Sequence, residues 1–562
     1  MVHEVAHGEN ELKTRAKRAG KGASPVDILS RAPAEITRGV AQGQIPVCVV
    51  GMGHIGLPLA LLLVEEGARV IGCDKDERSL DLLRKGRTPI VEHSKNLFPS
   101  SVVLDRSCPS CGIRLLKVGT ETFCPGCMRR ADVSSGAVRL SADLHSVPMR
   151  SEASHEMEDL LAGALASGRL ELTTDTTEAV KRSGFVVFAV GTPIDANKEP
   201  DNRAMTAASR DVGRGLQKGA VVLVRSTVSP GTTEGLVGSI LSAESGMKPG
   251  ADFGLAHVPE TTIEGLALLE LRTLPKMIGG VDERSARAAG ALFSVFKTPV
   301  HFFDGPKITE TAKLFCNIYR DVNIALANEL AQACEAIGVD VMKAIEASRT
   351  DPKTNVLTPG PGVGGYCLTK DAFYLTEPAS KLGFTSELIS LARDVNDSMP
   401  AHVHRLTTEA FEEAGLKTRG ARMAVLGVAF KGNTGDTRES PSFSVIDELR
   451  ADGAEIVVHD PLVSGDDRRL LDLGVAREKT LSGVMKRAVA ALILTDHIEY
   501  RGLTGSGLKK LDPDLRIVVD ARHILDPAEA RAAGLVYRGV GHGRLPRSDA
   551  NLSGNGGPSG QA

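Results

Sequence analysis

Short apolar runs alternate with longer amphipathic stretches along most of the chain. IPVCVVG (45–51), ARVIGCD (68–74), FVVFAVGTP (185–193) and AVVLVRSTV (220–228) are each followed by a helix-like segment. That alternation predicts parallel strands joined by crossover helices. It returns after residue 420 in RMAVLGVAF, EIVVHDP, AALILTD and RIVVDAR, so two separate α/β units are expected. Between them, Asp304-Gly305-Pro306 offers a cap and a first helical turn. Ile308, Phe315, Tyr319, Val322, Leu326, Leu330 and Ile337 then recur near helical period up to Gly338, which predicts a long helix linking the units. Residues 1–43 are polar and read as an extension, partly helical over VDILSRAPAEITRGV. The Gly-, Ser- and Asn-rich stretch from Arg547 is expected to be disordered, because it carries too little apolar surface to offset the entropy of ordering.

Composition sharpens this picture. A chain of 562 residues is too long for one core, and about 150 residues per domain gives three or four units. Hydrophobic residues make up 42% and charged residues 24%, which excludes a mainly disordered or fibrous protein. With 67 Lys plus Arg against 70 Asp plus Glu, the net charge of −3 supplies no chain-wide attraction to nucleic acid or an anionic membrane. No stretch reaches the roughly 18 apolar residues of a membrane span, and the first residues lack a signal-peptide core, so a cytoplasmic location is expected. Nine cysteines, an odd number without a secretion signal, point to metal or catalytic roles rather than a disulfide framework.

The first apolar run leads directly into Gly51-Met52-Gly53-His54-Ile55-Gly56 and the apolar helix LPLALLLVEEG. Glycines in a strand-turn-helix setting allow a tight turn and close approach of backbone to a pyrophosphate, with a helix N-terminus aimed at its charge. Asp74 ends the next strand where a ribose hydroxyl would be met. A carboxylate there repels a 2′-phosphate, which favours NAD over NADP, an inference softened by Lys75 and Arg78.

From these residues onward the chain resembles the UDP-glucose/GDP-mannose dehydrogenase family. The resemblance is carried in order by VVGMGHIGLPLA (49–60), AVGTP (189–193), STVSPGTTEG (226–235), PETTIEG (259–265), TAKLFCNIYRDVNIALANEL (311–330), PGPGVGGYCLTKD (359–371), LGVAFKGNTGDTRESP (426–441) and VVDARHIL (518–525). It implies two Rossmann-like α/β domains joined by a central helical dimerisation region. The expected layout is an NAD-binding domain over 44–303 with an insert at 100–152, a central domain over 304–415, and a UDP-sugar domain over 416–546 before the tail at 547–562. A homodimer or higher homo-oligomer is expected by the same resemblance.

The family oxidises the C6 alcohol of a nucleotide sugar to a carboxylate with two NAD and one water. A cysteine suits such chemistry, because a thiolate traps the intermediate aldehyde as a thiohemiacetal that is oxidised to a thioester. Cys367 aligns with the family nucleophile, and Gly364 beside it would let substrate approach the backbone. Lys313 and Asn317 lie four residues apart on one helix face, where a cation and an amide donor can stabilise an oxyanion and lower a thiol pKa. The resemblance makes Lys313 the acid/base or oxyanion lysine and brings Asn317 and Arg320 to the substrate. Glu260 and Asp371 align with acids implicated in thioester hydrolysis, with at least one expected to be catalytic. Thr261, Thr262, Lys353, Phe430 and Lys431 match substrate positions. Arg438, Thr192 and Thr227 match cofactor positions, although either threonine could equally cap a strand end.

The blocks RDVNIALANEL and PGPGVGG are more similar to the subgroup acting on UDP-N-acetylmannosamine than to UDP-glucose enzymes, with UDP-N-acetylglucosamine or UDP-glucose as alternatives. Thr261 and Lys353 stand where arginines are usual, which alters substrate contacts. A further alternative is an inactive scaffold that recruits a partner; the intact Cys367, Lys313, Asn317 and Asp371 set speaks against it.

One insertion is not part of the family pattern. Cys108-Pro-Ser-Cys111 and Cys124-Pro-Gly-Cys127, twelve residues apart, have the spacing of a zinc site of four thiolates. With every position filled by sulfur, such a zinc is structural and would staple a small ribbon.

Overall fold

The computed structural model describes residues 27–88, 156–195, 197–262, 266–351 and 353–542, together with strand segments at 101–107, 114–118, 121–124, 129–133 and 139–140. Expectations for residues 1–26, for the tail from Arg547, and for Cys108, Cys111 and Cys127 lie outside the described residues, as does the side chain of Cys124.

Each apolar run of the sequence becomes a fully buried strand. The first sheet runs, in spatial order, Val300–Phe303, Lys276–Gly280, Gly254–His257, Val221–Val224, Phe185–Phe188, Val47–Val50, Val70–Cys73 and Leu170–Thr173. All neighbours are parallel except Gly254–His257 against Lys276–Gly280. Omitting the two added strands at one edge leaves the order of a doubly wound dinucleotide fold. The second sheet repeats that order with every pair parallel: Ala476–Arg477, Glu455–His459, Arg422–Leu426, Ala490–Ile493, Ile517–Asp520 and Val536–Gly539. Both faces of each sheet carry an apolar core, which is why the strands read as unbroken apolar runs. A third, antiparallel sheet of five short strands spans Ser101–Ser107 to Arg139–Leu140.

The helical part expected in the N-terminal extension is the helix Pro33–Ala41, and residues 27–43 pack onto the first unit instead of standing apart from it. Ile28, Ile36 and Val40 are buried in the first core, with the helix Pro33–Ala41 packed beside the helix Glu283–Phe293. The expected long helix is Pro306–Ile337, ended by Gly338 in the left-handed conformation. Its N-cap is Gly305, not Asp304, and no side chain caps it. Its apolar stripe also points the other way from a core helix. Phe315, Tyr319 and Ile337 are 58%, 65% and 71% exposed, whereas Glu310, Lys313, Asn317, Asp321 and Asn328 are buried. The helices Tyr366–Ser380 and Leu388–Glu413 pack on this polar side. There Asp321 accepts from Arg393 and Asn396, and Asn328 bonds Asn396 at 3.0 Å. Ala331, Met399 and Val403 join the core of the second sheet, so the central helices and that unit pack as one body.

Candidate active site

The strand Val47–Val50 ends in a turn whose three glycines have different physical reasons. Gly51 sits at φ 97°, and a Cβ there would lie 2.6 Å from the Ala189 carbonyl oxygen. A Cβ on Gly56 would overlap the Gly51 carbonyl. Gly53 alone faces open space, with no atom within 4 Å of where its Cβ would be. That leaves bare backbone ahead of the helix Gly56–Glu65, where a pyrophosphate is admitted. Ile55 is the N-cap of this helix. Asp74 accepts the Met52 N–H at 2.8 Å and the Asp76 N–H at 3.0 Å, which fixes its carboxylate beside the turn. These groups fit an NAD dinucleotide: an open cradle, a helix N-terminus, and an oriented acid for the ribose. His54 lies on the turn in the field of Arg438 and Asp436 from the second unit. Dehydration in the cleft, with the Arg438 charge second, lowers its pKa to about 4, so it is neutral at pH 7.

Across this cleft, Cys367 is the second residue of the helix Tyr366–Ser380. Its exposed thiol is held above the ordinary thiol pKa by the surrounding protein and by Asp371, against the opposing charges of Lys313, Lys370 and Arg438. Asp371, one helical turn on, accepts from Asn317 Nδ2 at 2.6 Å, and its other oxygen is buried with no hydrogen bond among the described residues. Lys370 Nζ approaches that oxygen at 3.6 Å. Lys313, one turn before Asn317, is buried and makes no hydrogen bond among the described residues.

The second unit closes over this helix through its own loop. The Arg438 carbonyl accepts the Gly365 N–H at 2.9 Å, and the Arg438 guanidinium grips Asp436 at 2.8 Å and stacks over the Tyr366 ring at 4.8 Å. The Cβ side of Gly364 is closely packed. A Cβ there would meet Phe430 Cβ at 2.5 Å and the Glu439 carbonyl at 2.6 Å, and Gly365 lies against the Phe430 ring. Glycine at 364 thus leaves room for Phe430 and the Glu439 carbonyl. Arg522 supports Phe430 by donating to its carbonyl at 3.1 Å and to that of Leu494 at 2.9 Å. Lys431 is half-buried beside it.

The remaining expected residues divide into two groups. Thr192 Oγ1 donates to the Thr227 carbonyl at 2.7 Å, a strand-end tie that uses the hydroxyl. Glu260 is buried, ion-paired to Arg225, and accepts the Thr262 N–H at 2.8 Å, with Thr261 half-buried between them. Arg320 and Lys353 are exposed in the single chain, and the Lys353 N–H bonds Asp351.

Comparison with known proteins agrees with this geometry. The NAD-binding domain of the UDP-glucose/GDP-mannose dehydrogenase family matches residues 45–103 and 149–297, its central domain 307–398, and its UDP-binding domain 424–527. The chain belongs to the UDP-glucose/GDP-mannose dehydrogenase family. It is 32% identical over 497 residues to the UDP-N-acetyl-D-mannosamine dehydrogenase of Pyrococcus horikoshii, covering 88% of this chain and 99% of that one. The solved structure of a UDP-D-ManNAc dehydrogenase from Pyrococcus horikoshii superposes with a TM-score of 0.70 at 30% identity, covering 89% of this chain and all of that one. A UDP-glucose dehydrogenase from Pyrobaculum islandicum gives a TM-score of 0.70 at 29% identity, covering 88% and 98%. This dehydrogenase thus uses NAD on a UDP-sugar, and its segment 104–148 lies between the two matched parts of the NAD-binding domain.

Several residues of the dehydrogenase carried no legible sequence signal. Tyr374 donates to the Thr192 carbonyl and Lys370 to the same oxygen at 2.6 Å, which ties the Cys367 helix to the cofactor domain. Glu310 accepts the Gly231 and Thr233 N–H groups and so fixes the STVSPGTTEG loop. His257, fully buried, bonds Thr309 at 2.9 Å and is lowered to about 3 by burial, with Arg225 and Lys313 adding to the effect. The period that would have flagged Arg225 is that of a buried strand, and arginine breaks it at a single position.

Because a Cβ at Gly53 meets nothing while one at Gly56 meets backbone, two alanine variants should separate binding from folding. Gly53→Ala should melt within about 1 °C of the parent and bind NAD about tenfold or more weakly by calorimetry, whereas Gly56→Ala should lose several degrees in Tm.

Proposed function

We propose that this enzyme oxidises UDP-N-acetyl-D-mannosamine to UDP-N-acetyl-D-mannosaminuronate, a four-electron oxidation at C6 carried through a covalent bond to Cys367. The observation that supports it most is the cluster around that thiol: an oriented Asp371 one turn away, Asn317 holding it, and Lys313 with no other hydrogen-bond partner among the described residues. The choice of sugar rests on the Pyrococcus horikoshii relative and on the RDVNIALANEL and PGPGVGG blocks. The similarity to a UDP-glucose dehydrogenase keeps UDP-glucose as the second reading.

NAD, when bound, accepts a hydride from C6 at each of the two oxidations. The Gly53 backbone, the Gly56–Glu65 helix start and Asp74 would hold it, with His54, Thr192, Thr227 and Arg438 around it. Phe430, Lys431, Thr261, Thr262, Arg320 and Lys353 are assigned to the UDP-sugar. In the resting enzyme the thiol is protonated, so Cys367 needs a base as it adds to the aldehyde. The oxygen of Asp371 without a hydrogen bond takes that proton, while Lys313 and Asn317 stabilise the oxyanion of the thiohemiacetal. After the second hydride leaves, water attacks the thioester, the C–S bond breaks with its electron pair on sulfur, and Glu260 is the carboxylate beside the substrate turn that orients the water.

The exposed stripe of Phe315, Tyr319, Leu326 and Leu330 along the long helix supports a homodimer, since a patch of this kind is otherwise costly in water. Four thiolates at Cys108, Cys111, Cys124 and Cys127 support a structural zinc in the segment that interrupts the family match.

NADH formation at 340 nm with a panel of UDP-sugars tests the substrate. The expected result is two NADH per UDP-N-acetyl-D-mannosamine consumed, with Cys367→Ser reduced by about 10³-fold or more. An equal rate on UDP-glucose alone would replace the sugar, and no NADH from any UDP-sugar would remove the reading. Elemental analysis should find one zinc per chain, lost in Cys108→Ser/Cys111→Ser.

A further inference from the structure

The strand Val221–Val224 ends in an arginine where its neighbours are all apolar. Arg225 is 1% exposed, yet its guanidinium is not left uncompensated. One arm pairs with Glu260, itself 7% exposed, and the face of the group stacks on the Phe293 ring at 5.0 Å. The Arg225 carbonyl also accepts the Glu260 N–H at 3.3 Å, so backbone and side chain both join the two strand ends. Each partner leads into a different part of the site. Arg225 continues into Ser226 and Thr227 on the cofactor side, and Glu260 continues into Thr261 and Thr262 on the substrate side. The pair ties together the two strand ends that lead into these loops.

We propose that Arg225 is a positioning residue, whose guanidinium holds Glu260 as a fixed, ionised acceptor for the water that hydrolyses the Cys367 thioester. This rests on the covalent role proposed for Cys367. A carboxylate buried alone would take up a proton instead of staying ionised. Burial does push Glu260 upward, but Arg225 and the Thr262 N–H outweigh it and lower the group to about 2. Lys276, the other cation facing Glu260, cannot substitute. Its Nζ donates to the Leu274 carbonyl at 2.8 Å, and burial together with repulsion from Arg225 lowers it to about 7, with Glu260 and Glu270 opposing. His257, which also faces Arg225, is neutral. Arginine is thus the one permanent charge at Glu260 among the described residues, and its fork suits a carboxylate in a way a lysine does not.

In the step concerned, water adds to the thioester carbonyl and gives one proton through the Glu260 carboxylate to solvent; the adduct then breaks its C–S bond with the electron pair on sulfur, the sulfur takes up the second proton, and the product leaves as a carboxylate. No further oxidant is needed. The test is R225M in the full-length enzyme, with the first NADH phase, the steady-state rate and the intact mass of the protein followed from pH 5 to 9. The expected result is a first NADH phase within about twofold of the parent, turnover about tenfold or more slower at pH 7, and acylated Cys367 accumulating. Turnover should also acquire an acid limb that rises with pH, because Glu260 without its cation protonates. R225K should recover at least threefold over R225M at pH 6. R225M turning over at the parental rate without that limb, or R225K as slow as R225M, would overturn the proposal. Should R225M not fold, R225K replaces it: an acid limb shifted to higher pH than in the parent supports the proposal, and a parental pH profile overturns it. A parent that never forms acyl-Cys367 with any UDP-sugar would instead refute the covalent reading itself.

Discussion

The active cleft depends on one helix that buries a row of polar side chains. Pro306–Ile337 leaves Phe315, Tyr319 and Ile337 exposed and buries Lys313, Asn317, Asp321 and Asn328, beside Leu314 and Ile318, against two neighbouring helices. Burying that many polar groups is tolerable only because nearly all are paired: Asn317 with Asp371, Asp321 with Arg393 and Asn396, Asn328 with Asn396 and the Gly360 N–H. The same network that satisfies the helix orients Asp371 beside Cys367. Structure and chemistry use the same hydrogen bonds here, so substitutions along this face disturb packing and reactivity together.

Around that helix the two doubly wound sheets present their turns to each other. Gly51-Met52-Gly53 in the first unit and Gly427-Val428-Ala429 in the second occupy equivalent strand ends, with Asp74 and Asp460 accepting the N–H groups of Met52 and Val428, both at 2.8 Å. Only the first keeps an open cradle. In the second, His497 bonds Asp460 at 3.1 Å and Thr495 fills the room beside Gly427, so the acid there is committed to the fold. The second unit contributes Phe430 and Arg438 to the cleft instead.

Much of this was legible in the sequence, because strands buried on both faces must be apolar throughout and a pyrophosphate turn must have its glycines. Cys367, Asp371, Lys313 and Asn317 were legible through the family resemblance of their blocks, and the structure places them on two packed helices, with Asn317 bonded to Asp371. Other features were hidden for physical reasons. Helical period marks an apolar stripe on Pro306–Ile337 but not which side is covered, since that depends on what packs against it. The packing of Phe430 against Gly364 and Gly365 likewise leaves no mark in the sequence. Arg225 acquires meaning only when Glu260, 35 residues later, arrives at the adjacent strand end.

Asp371, held by Asn317, sits close enough to Cys367 for its charge to act on the thiol. The direct test is the pH dependence of Cys367 alkylation in the NAD-free enzyme, read by peptide mass so that the exposed Cys316 is counted separately. A midpoint above the ordinary thiol value is expected, because dehydration at the cleft wall and the Asp371 charge both disfavour the thiolate, with a fall in that midpoint in Asp371→Asn. A midpoint below the ordinary value that Asp371→Asn leaves unchanged would contradict it.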